Sequence, residues 1–344
     1  MGTVTPTLPK IAITMGDPYG IGPEIIVKAA ASPKVREACQ PVIIGTREIL
    51  EQAAELLGRE VPACPTIEPE AMLGLEPNRF GELSAAAGKA AFAYIEKAVS
   101  LALAGDVDAI TTAPIHKEAI NLAGYHYSGH TEILAALTAT ESVSMMLVCG
   151  QMRVAHVTTH VALEDVPSRI TQPRVVKVID LFHRALLDLG IDSPKIAVAG
   201  LNPHSGEGGL FGRQELDVII PAVAAAVERG YDVEGPIPPD TVFVKMLAGH
   251  YDGVVAMYHD QGHIPVKLLG FTVDPDTGDF RSVEGVNVTL GLPIIRTSVD
   301  HGTAFDIAGT GKANEKSLVD AVLMAATMAR HGRRTRPYAK EAAE

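Results

Sequence analysis

Residues Lys10–Ala31 read KIAITMGDPYGIGPEIIVKAAA. The first part is apolar and β-prone, the last ten residues are apolar at helical spacing, and a glycine-rich turn joins them. The stretch reads as a strand, a tight turn and a helix. Gly16, Gly20 and Gly22 mark the turn, and Pro23 stands near the helix start, where its fixed φ fits. The spacing is not GxGxxG, so it is no Rossmann fingerprint. The same alternation recurs outward. PVIIGT (41–46) reads as a strand and REILEQAAELL (47–57) as a helix. SAAAGKAAFAYIEKAVSLALAG (84–105) is a long alanine-rich helix leading to the strand AITTAP (109–114). RVAHVTTH (153–160), KIAVAGLNP (195–203) and DGVVAMYH (252–259) read as strands. PRVVKVIDLFHRALLDLG (173–190), RQELDVIIPAVAAAVERG (213–230) and EKSLVDAVLMAATMARHG (315–332) read as helices. The proline-rich DVEGPIPPD (232–240) is expected to be a loop. Strands alternating with helices imply an α/β protein with a mostly parallel sheet, whose ligands gather beyond the carboxyl ends of the strands.

The 344 residues are 47% hydrophobic and 20% charged, with a net charge of -12. That balance excludes disorder and a basic nucleic-acid face, while a few cations in a cleft can still hold an anion. The three cysteines (Cys39, Cys64, Cys149) are far apart and lack CxxC spacing, which fits a reducing compartment. The first residues, MGTVTPTLPK, hold no apolar signal core, and no run reaches the ~18 apolar residues of a membrane span. A cytoplasmic protein is expected.

Polar residues cluster where apolar runs end. His160, His204 and His259 each follow a separate strand. Three imidazoles at neighbouring strand ends can share one divalent cation with positions left open for substrate. Each alone reads as a hydrogen-bonded histidine near the surface, and it is the repeated placement at three strand ends that brings in the metal reading. His263 lies four residues after His259, but no Glu follows the first His and Pro265 argues against a regular helix, so His263 is set outside the ligand group. In SGHTEILAAL (128–137), His130 and Thr131 stand at a helix front, where donors suit a phosphate or where Thr131 is simply a cap. Lys267, Asn287 and Arg296 offer further donors to the same anion. SVDHGTAFDIAGTGKAN (298–314) is too rich in glycine and small polar residues for a core strand and reads as a binding loop.

HGTAFDIAGTGKAN (301–314) resembles the cofactor loop of isopropylmalate and isocitrate dehydrogenases, and GDPYGIGPEI (16–25) resembles their first turn. The full set is closer to the 4-hydroxythreonine-4-phosphate dehydrogenase family of pyridoxal phosphate synthesis. TMGDPYGIGPEI, APIHKEAI, GHTE, TTH, GLNPHSGEGG, PDTVF, YHDQG and GVNVTLGLPIIRTSVDHGTA carry that resemblance in order, over nearly the whole chain. It implies an isocitrate/isopropylmalate dehydrogenase-like fold of two α/β domains with a cleft between them. The expected division is 1–135 with 300–344, and 136–299 on the metal and dimer side. It implies a homodimer, NAD as oxidant, and a divalent cation (Zn, Mg or Co) on His160, His204 and His259. Substrate contacts would come from His130, Thr131, Lys267, Asn287 and Arg296. Asp240 and Asp260, with Lys267, match catalytic positions of the pocket. NAD would contact Gly302, Thr303, Ala304, Asp306 and Asn314. The implied reaction is oxidation with decarboxylation of a phosphorylated hydroxy acid, foremost 4-phosphooxy-L-threonine to 3-amino-2-oxopropyl phosphate.

Two features depart from that pattern. His263 stands where the family usually has an apolar residue, and TVDPDTGDFRSVE (272–284) is an added loop between Lys267 and Asn287. Both resemble a branch that oxidises D-threonate or D-erythronate 4-phosphate, with His263 as a candidate selectivity element. Two other classes compete: a metal-dependent phosphatase using the same histidines, and a solute-binding protein. The phosphatase would have no use for the HGTAFDIAG loop, the missing signal core and the metal-type histidines count against the solute-binding protein, and NAD turnover separates them.

Overall fold

The computed structural model describes residues 7–70, 74–273, 275 and 280–332. In chain order the strands are β1 (Lys10–Thr14), β2 (Gln40–Ile44), β3 (Thr66–Ile67), β4 (Ala109–Thr112), β5 (Ser144–Cys149), β6 (Met152–His156), β7 (Lys195–Ala199), β8 (Asp232–Ile237), β9 (Gly253–Ala256), β10 (Phe271–Val273), β11 (Phe280–Val283), β12 (Val286–Leu290) and β13 (Arg296–Val299). The chain forms two compact units. One runs to Glu141 and resumes at Leu292; the other is Ser142–Gly291. The division read from the sequence differs by a few residues at each crossing. Residues 292–299 go with the first unit because β13 pairs in parallel with β4.

In the first unit the strand order is β3-β2-β1-β4-β13, and every pair is parallel. The opening stretch folds as its pattern dictates. Lys10–Thr14 is buried after its first residue, and Gly22–Ala31 is a helix with Pro23 in its first turn. Helix Ala85–Ala104 starts at Ser84, whose Oγ accepts the Ala86 N–H at 3.2 Å. It stops at Gly105, which takes the left-handed conformation that glycine adopts without strain. Gly88 within it admits helix Lys117–Leu122: a Cβ there would lie 2.0 Å from the Ala119 carbonyl oxygen.

In the second unit the order is β12-β5-β6-β9-β7-β8. Strands β6, β9, β7 and β8 run parallel, while β5 is antiparallel to both β6 and β12. The reversal between β5 and β6 comes from a two-residue turn at Gly150 and Gln151, with Gly150 at φ +55°. The core here is aliphatic, with Leu147, Val154, Val254, Ala256 and Val266 buried together, the leucine and the valines each contributing roughly 1.5–3 kcal/mol.

Three expectations are corrected. Residues 232–237 are not a loop but β8, the last strand in this unit's order. Pro236 is tolerated there because a strand at an edge can lack a ladder donor. His259–Gly270 is a regular helix with Pro265 inside it. Proline removes one donor but does not break a helix that Val266 anchors in the core. The added segment at 272–284 is in part a ribbon, β10 antiparallel to β11, and residues 274 and 276–279 lie outside the described residues. Among the described residues no helix is long and apolar enough to cross a membrane.

Candidate active site

In the first unit, three segments leave the carboxyl ends of parallel strands: the 16–22 turn after β1, Ala113–His116 after β4, and Asp300–Asn314 after β13. Close approach explains the turn's glycines. A Cβ on Gly16, at φ +70°, would lie 2.2 Å from the Pro114 carbonyl oxygen, and one on Gly22 would lie 2.1 Å from that of Met15. The Ile21 N–H donates to the Thr303 carbonyl at 3.1 Å, and Phe305 stacks on His116 with ring centroids 4.7 Å apart. Glu24 Oε1 accepts the Gly309 N–H at 2.6 Å. The Gly302–Asn314 loop is therefore tied to the turn. Gly302, Asp306 and Asn314 are exposed along it, Thr303 is half-buried, and Ala304 sits at φ +43°. The Asn314 side-chain oxygen accepts the Lys316 N–H at 2.8 Å and so caps the last helix.

Asp17, in the same turn, escaped the sequence reading. It is fully buried; Oδ1 accepts the Tyr19 N–H at 2.9 Å and Oδ2 has no partner. Burial raises its pKa from 3.8 to about 6, against the lowering effect of that hydrogen bond. The folded chain thus holds this proton more tightly than the unfolded chain does. The group's favourable contribution is full below pH 3.8 and is lost as pH rises through about 6. The loss is about 3 kcal/mol, at ~1.4 kcal/mol for each pH unit. Asp17→Asn is expected to raise the melting temperature by several degrees at pH 8 and by little near pH 4. Equal shifts at both pH values would show that the buried charge is not the cause.

Arg296, at the start of β13, is 3% exposed and donates to Thr112 Oγ1 at 2.7 Å. Burial pushes its guanidinium down to about 9. His130 opens helix His130–Leu137 with Thr131 beside it. Burial first, then the charges of Arg296 and Lys117, hold the His130 imidazole well below its ordinary range, so it is neutral at pH 7. Its Nε2 is buried without a partner. A buried guanidinium, a neutral imidazole and a helix start together form a site suited to an anion.

In the second unit, β6, β9 and β7 are neighbours running in parallel, so His160, His259 and His204 all follow strands at one carboxyl edge. The His160 and His259 ring centroids are 5.5 Å apart. His259 Nδ1 lies 2.7 Å from Asp260 Oδ1, which leaves Nε2 as the ring nitrogen not engaged by that carboxylate. Asp260 itself is exposed, and the His259 hydrogen bond lowers its carboxyl below the ordinary value.

His263 is 7% exposed and stacks on His259, centroids 3.6 Å apart. Its Nδ1 donates to the His259 carbonyl at 2.9 Å. The helix that Pro265 was expected to prevent is what places these two rings one turn apart on one face. His156, at the end of β6, lies behind them at 4.8 Å from His263 and is fully buried. Its Nδ1 donates to the Met145 carbonyl at 3.2 Å. Burial pushes the imidazoles of His156 and His263 down to about 3 and about 4. Nothing in the local sequence marks His156, since a histidine at a strand end has no pattern that sets it apart.

Further along the same helix, Lys267 is half-buried with Nζ 5.0 Å from the Phe271 ring centroid. Asn287 on β12 donates to Met145 Sδ, a weak acceptor, and its Oδ1 is buried without a partner. Asp240 is exposed in the first turn of helix Pro239–Leu247.

His204 stands differently. Residues 204–208 form a left-handed turn, with φ between +45° and +78°. Glu215, buried, holds the loop before it: Oε1 accepts the Leu201 and Asn202 N–H groups at 2.8 and 2.7 Å, and Oε2 accepts Asn202 Nδ2 at 2.8 Å. The His204 ring lies 6.5 Å from that of Phe211. Among the described residues no three His, Cys, Asp or Glu side chains are grouped as a ready metal cage. His160 and His259 are brought together, and His204 is delivered to the same edge without joining them.

Residues 37–325 match the family model described as Pyridoxal phosphate biosynthetic protein PdxA. The chain is 50% identical over 336 residues to the D-threonate 4-phosphate dehydrogenase of Cupriavidus necator, across 94% of this chain and 98% of that protein. It is 46% identical over 342 residues to the 4-hydroxythreonine-4-phosphate dehydrogenase of Geobacter metallireducens, across 94% and 96%. A solved structure, the 4-hydroxythreonine-4-phosphate dehydrogenase from Burkholderia phymatum, aligns with a TM-score of 0.80 at 46% identity, covering 94% of this chain and 99% of that one.

Proposed function

This chain belongs to the PdxA family of pyridoxal phosphate biosynthetic proteins and is an oxidoreductase, and we propose from that premise that it oxidises D-threonate 4-phosphate with NAD. The observation that carries the reading is the buried Arg296 beside a neutral His130, a site for the substrate's phosphate. Two points favour the sugar acid: the higher identity to the Cupriavidus necator enzyme, and the buried His156–His263 pair behind His259. The 46% identity to the Geobacter metallireducens enzyme favours 4-hydroxythreonine 4-phosphate as the second reading.

In this reading the phosphate is bound by Arg296, His130 and Thr131. Lys267 and Asn287 donate to the remaining substrate oxygens, and the loop from Gly302 to Asn314 holds NAD through Gly302, Thr303, Ala304, Asp306 and Asn314. The donor set fits a divalent cation in kind, since neutral imidazoles suit zinc or cobalt and two already lie 5.5 Å apart. His160, His204 and His259 would hold it. When bound, such an ion supplies Lewis-acid stabilisation of charge developing on a substrate oxygen. Asp260 fixes the His259 ring through Nδ1, and Asp240 serves proton transfer to solvent. Oxidation of the hydroxyl β to the carboxylate passes a hydride to NAD and releases a proton; the β-keto acid then loses CO2.

A homodimer is part of the proposal. Large apolar side chains stand exposed on the second unit, among them Leu163, Leu210, Val244, Ile264 and Leu268, the last 82% exposed. A cytoplasmic location fits this chemistry.

NADH formation with D-threonate 4-phosphate, D-erythronate 4-phosphate and 4-hydroxythreonine 4-phosphate tests the reading. D-threonate 4-phosphate is expected to give the highest kcat/KM. NAD should outperform NADP by about tenfold or more, because Asp306 would repel a 2′-phosphate and Lys312 is the nearest cation in the loop. Higher kcat/KM with 4-hydroxythreonine 4-phosphate would establish the second reading instead.

A further inference from the structure

Glu24 and Lys28 take no part in the chemistry above, yet both are committed to the 302–314 loop. We infer that these two side chains, one turn apart on helix Gly22–Ala31, form a two-sided clamp on that loop's backbone and are positioning residues for the cofactor. This rests on the reading of the loop as the NAD site.

A Glu and a Lys four residues apart on a helix ordinarily pair with each other. Here each reaches the loop instead. Glu24 is fully buried, and its Oε1 accepts the Gly309 N–H at 2.6 Å. Lys28 Nζ donates to the Gly311 and Ala313 carbonyls at 2.8 and 2.5 Å. The carboxylate takes a backbone donor and the ammonium takes two backbone acceptors, so charge and hydrogen-bond polarity agree at both ends. The partners lie more than 280 residues apart in the chain, so no local turn preference accounts for the contacts. Gly309 itself has φ +77°, and a Cβ there would lie 2.7 Å from the Phe80 ring. Glycine takes that backbone conformation without strain, and any side chain at this position would collide with Phe80.

Burying a carboxylate is costly unless it is well bonded, and Glu24 Oε2 has no partner. A chain that needed only a filled core would gain by placing Leu or Met there. Holding the loop is what the charge does at that position. Loops that bind cofactors gain affinity when their bound conformation is already set.

The test uses full-length enzyme with Lys28→Met, Glu24→Ala and Glu24→Gln. Hydrogen exchange of peptides covering 302–314 is followed without NAD, NAD affinity by calorimetry, and the substrate KM at saturating NAD. Lys28→Met and Glu24→Ala are expected to speed loop exchange about tenfold or more and to weaken NAD by about tenfold, the size of a lost charged hydrogen bond. The substrate KM should move less than about twofold, and Glu24→Gln, which keeps the acceptor oxygen, should recover most of the loss. Lys28→Met retains its apolar stem and carries the test if Glu24→Ala fails to fold. Unchanged exchange would overturn the clamp. Faster exchange with unchanged NAD affinity would overturn the cofactor role. If the unmodified enzyme bound no NAD, the reading of the loop would fail, and exchange alone would decide the clamp.

Discussion

His259→Ala is expected to lower kcat/KM by about a thousandfold or more, roughly 4 kcal/mol of transition-state stabilisation, and to abolish tight binding of a divalent cation. The fold should survive, because His259 is partly exposed at a helix start and contributes little to the core. Asp260→Asn should cost less, about 10–100-fold, since Asp260 acts by orienting the His259 ring. The two variants separate ligand from orienter. Metal content by mass spectrometry and activity under added Co(II) provide the measurement. Near-normal metal content in His259→Ala would refute the assignment of this ring.

Arg296→Met is expected to reduce kcat/KM for a phosphorylated substrate by roughly a thousandfold, chiefly through KM, as loss of a charged phosphate contact with its positioning would. Stability should move the other way or not at all. Arg296 is 3% exposed, and replacing a buried charge by an apolar side chain of similar length is often neutral or stabilising. Activity lost together with an unchanged or higher melting temperature marks a charge kept for binding. A large fall in melting temperature with unaltered KM would make Arg296 a structural residue.

Much of the fold was legible because glycine and proline punctuate it. GPEIIVKAAA coincides with helix Gly22–Ala31, and Ser84 and Gly105 bracket the long alanine-rich helix. Segment 232–237 was misread because proline weakens a strand's pattern without forbidding a place at the sheet's margin. Pro265 likewise obscured a helix, the one that brings the His263 ring onto that of His259. Histidines at strand ends were legible as a set, since parallel neighbours deliver them to one edge. What one sequence does not carry is which rings meet. His156 reaches His263 through packing of a helix on β6, and Glu24 is bonded by a loop that arrives nearly 300 residues later.

The left-handed turn at 204–208 sets a limit on how this chain can vary. His204, Ser205 and Glu207 occupy backbone angles where glycine is at ease and a Cβ is crowded, at roughly 1–2 kcal/mol each. A lineage under pressure only to be robust would drift toward glycine at all three positions. Ser205 and Glu207 can follow that drift, and a hotter habitat would favour it. If His204 is the metal ligand proposed above, it cannot follow, and tolerance to heat and catalytic competence would be opposed at that one residue.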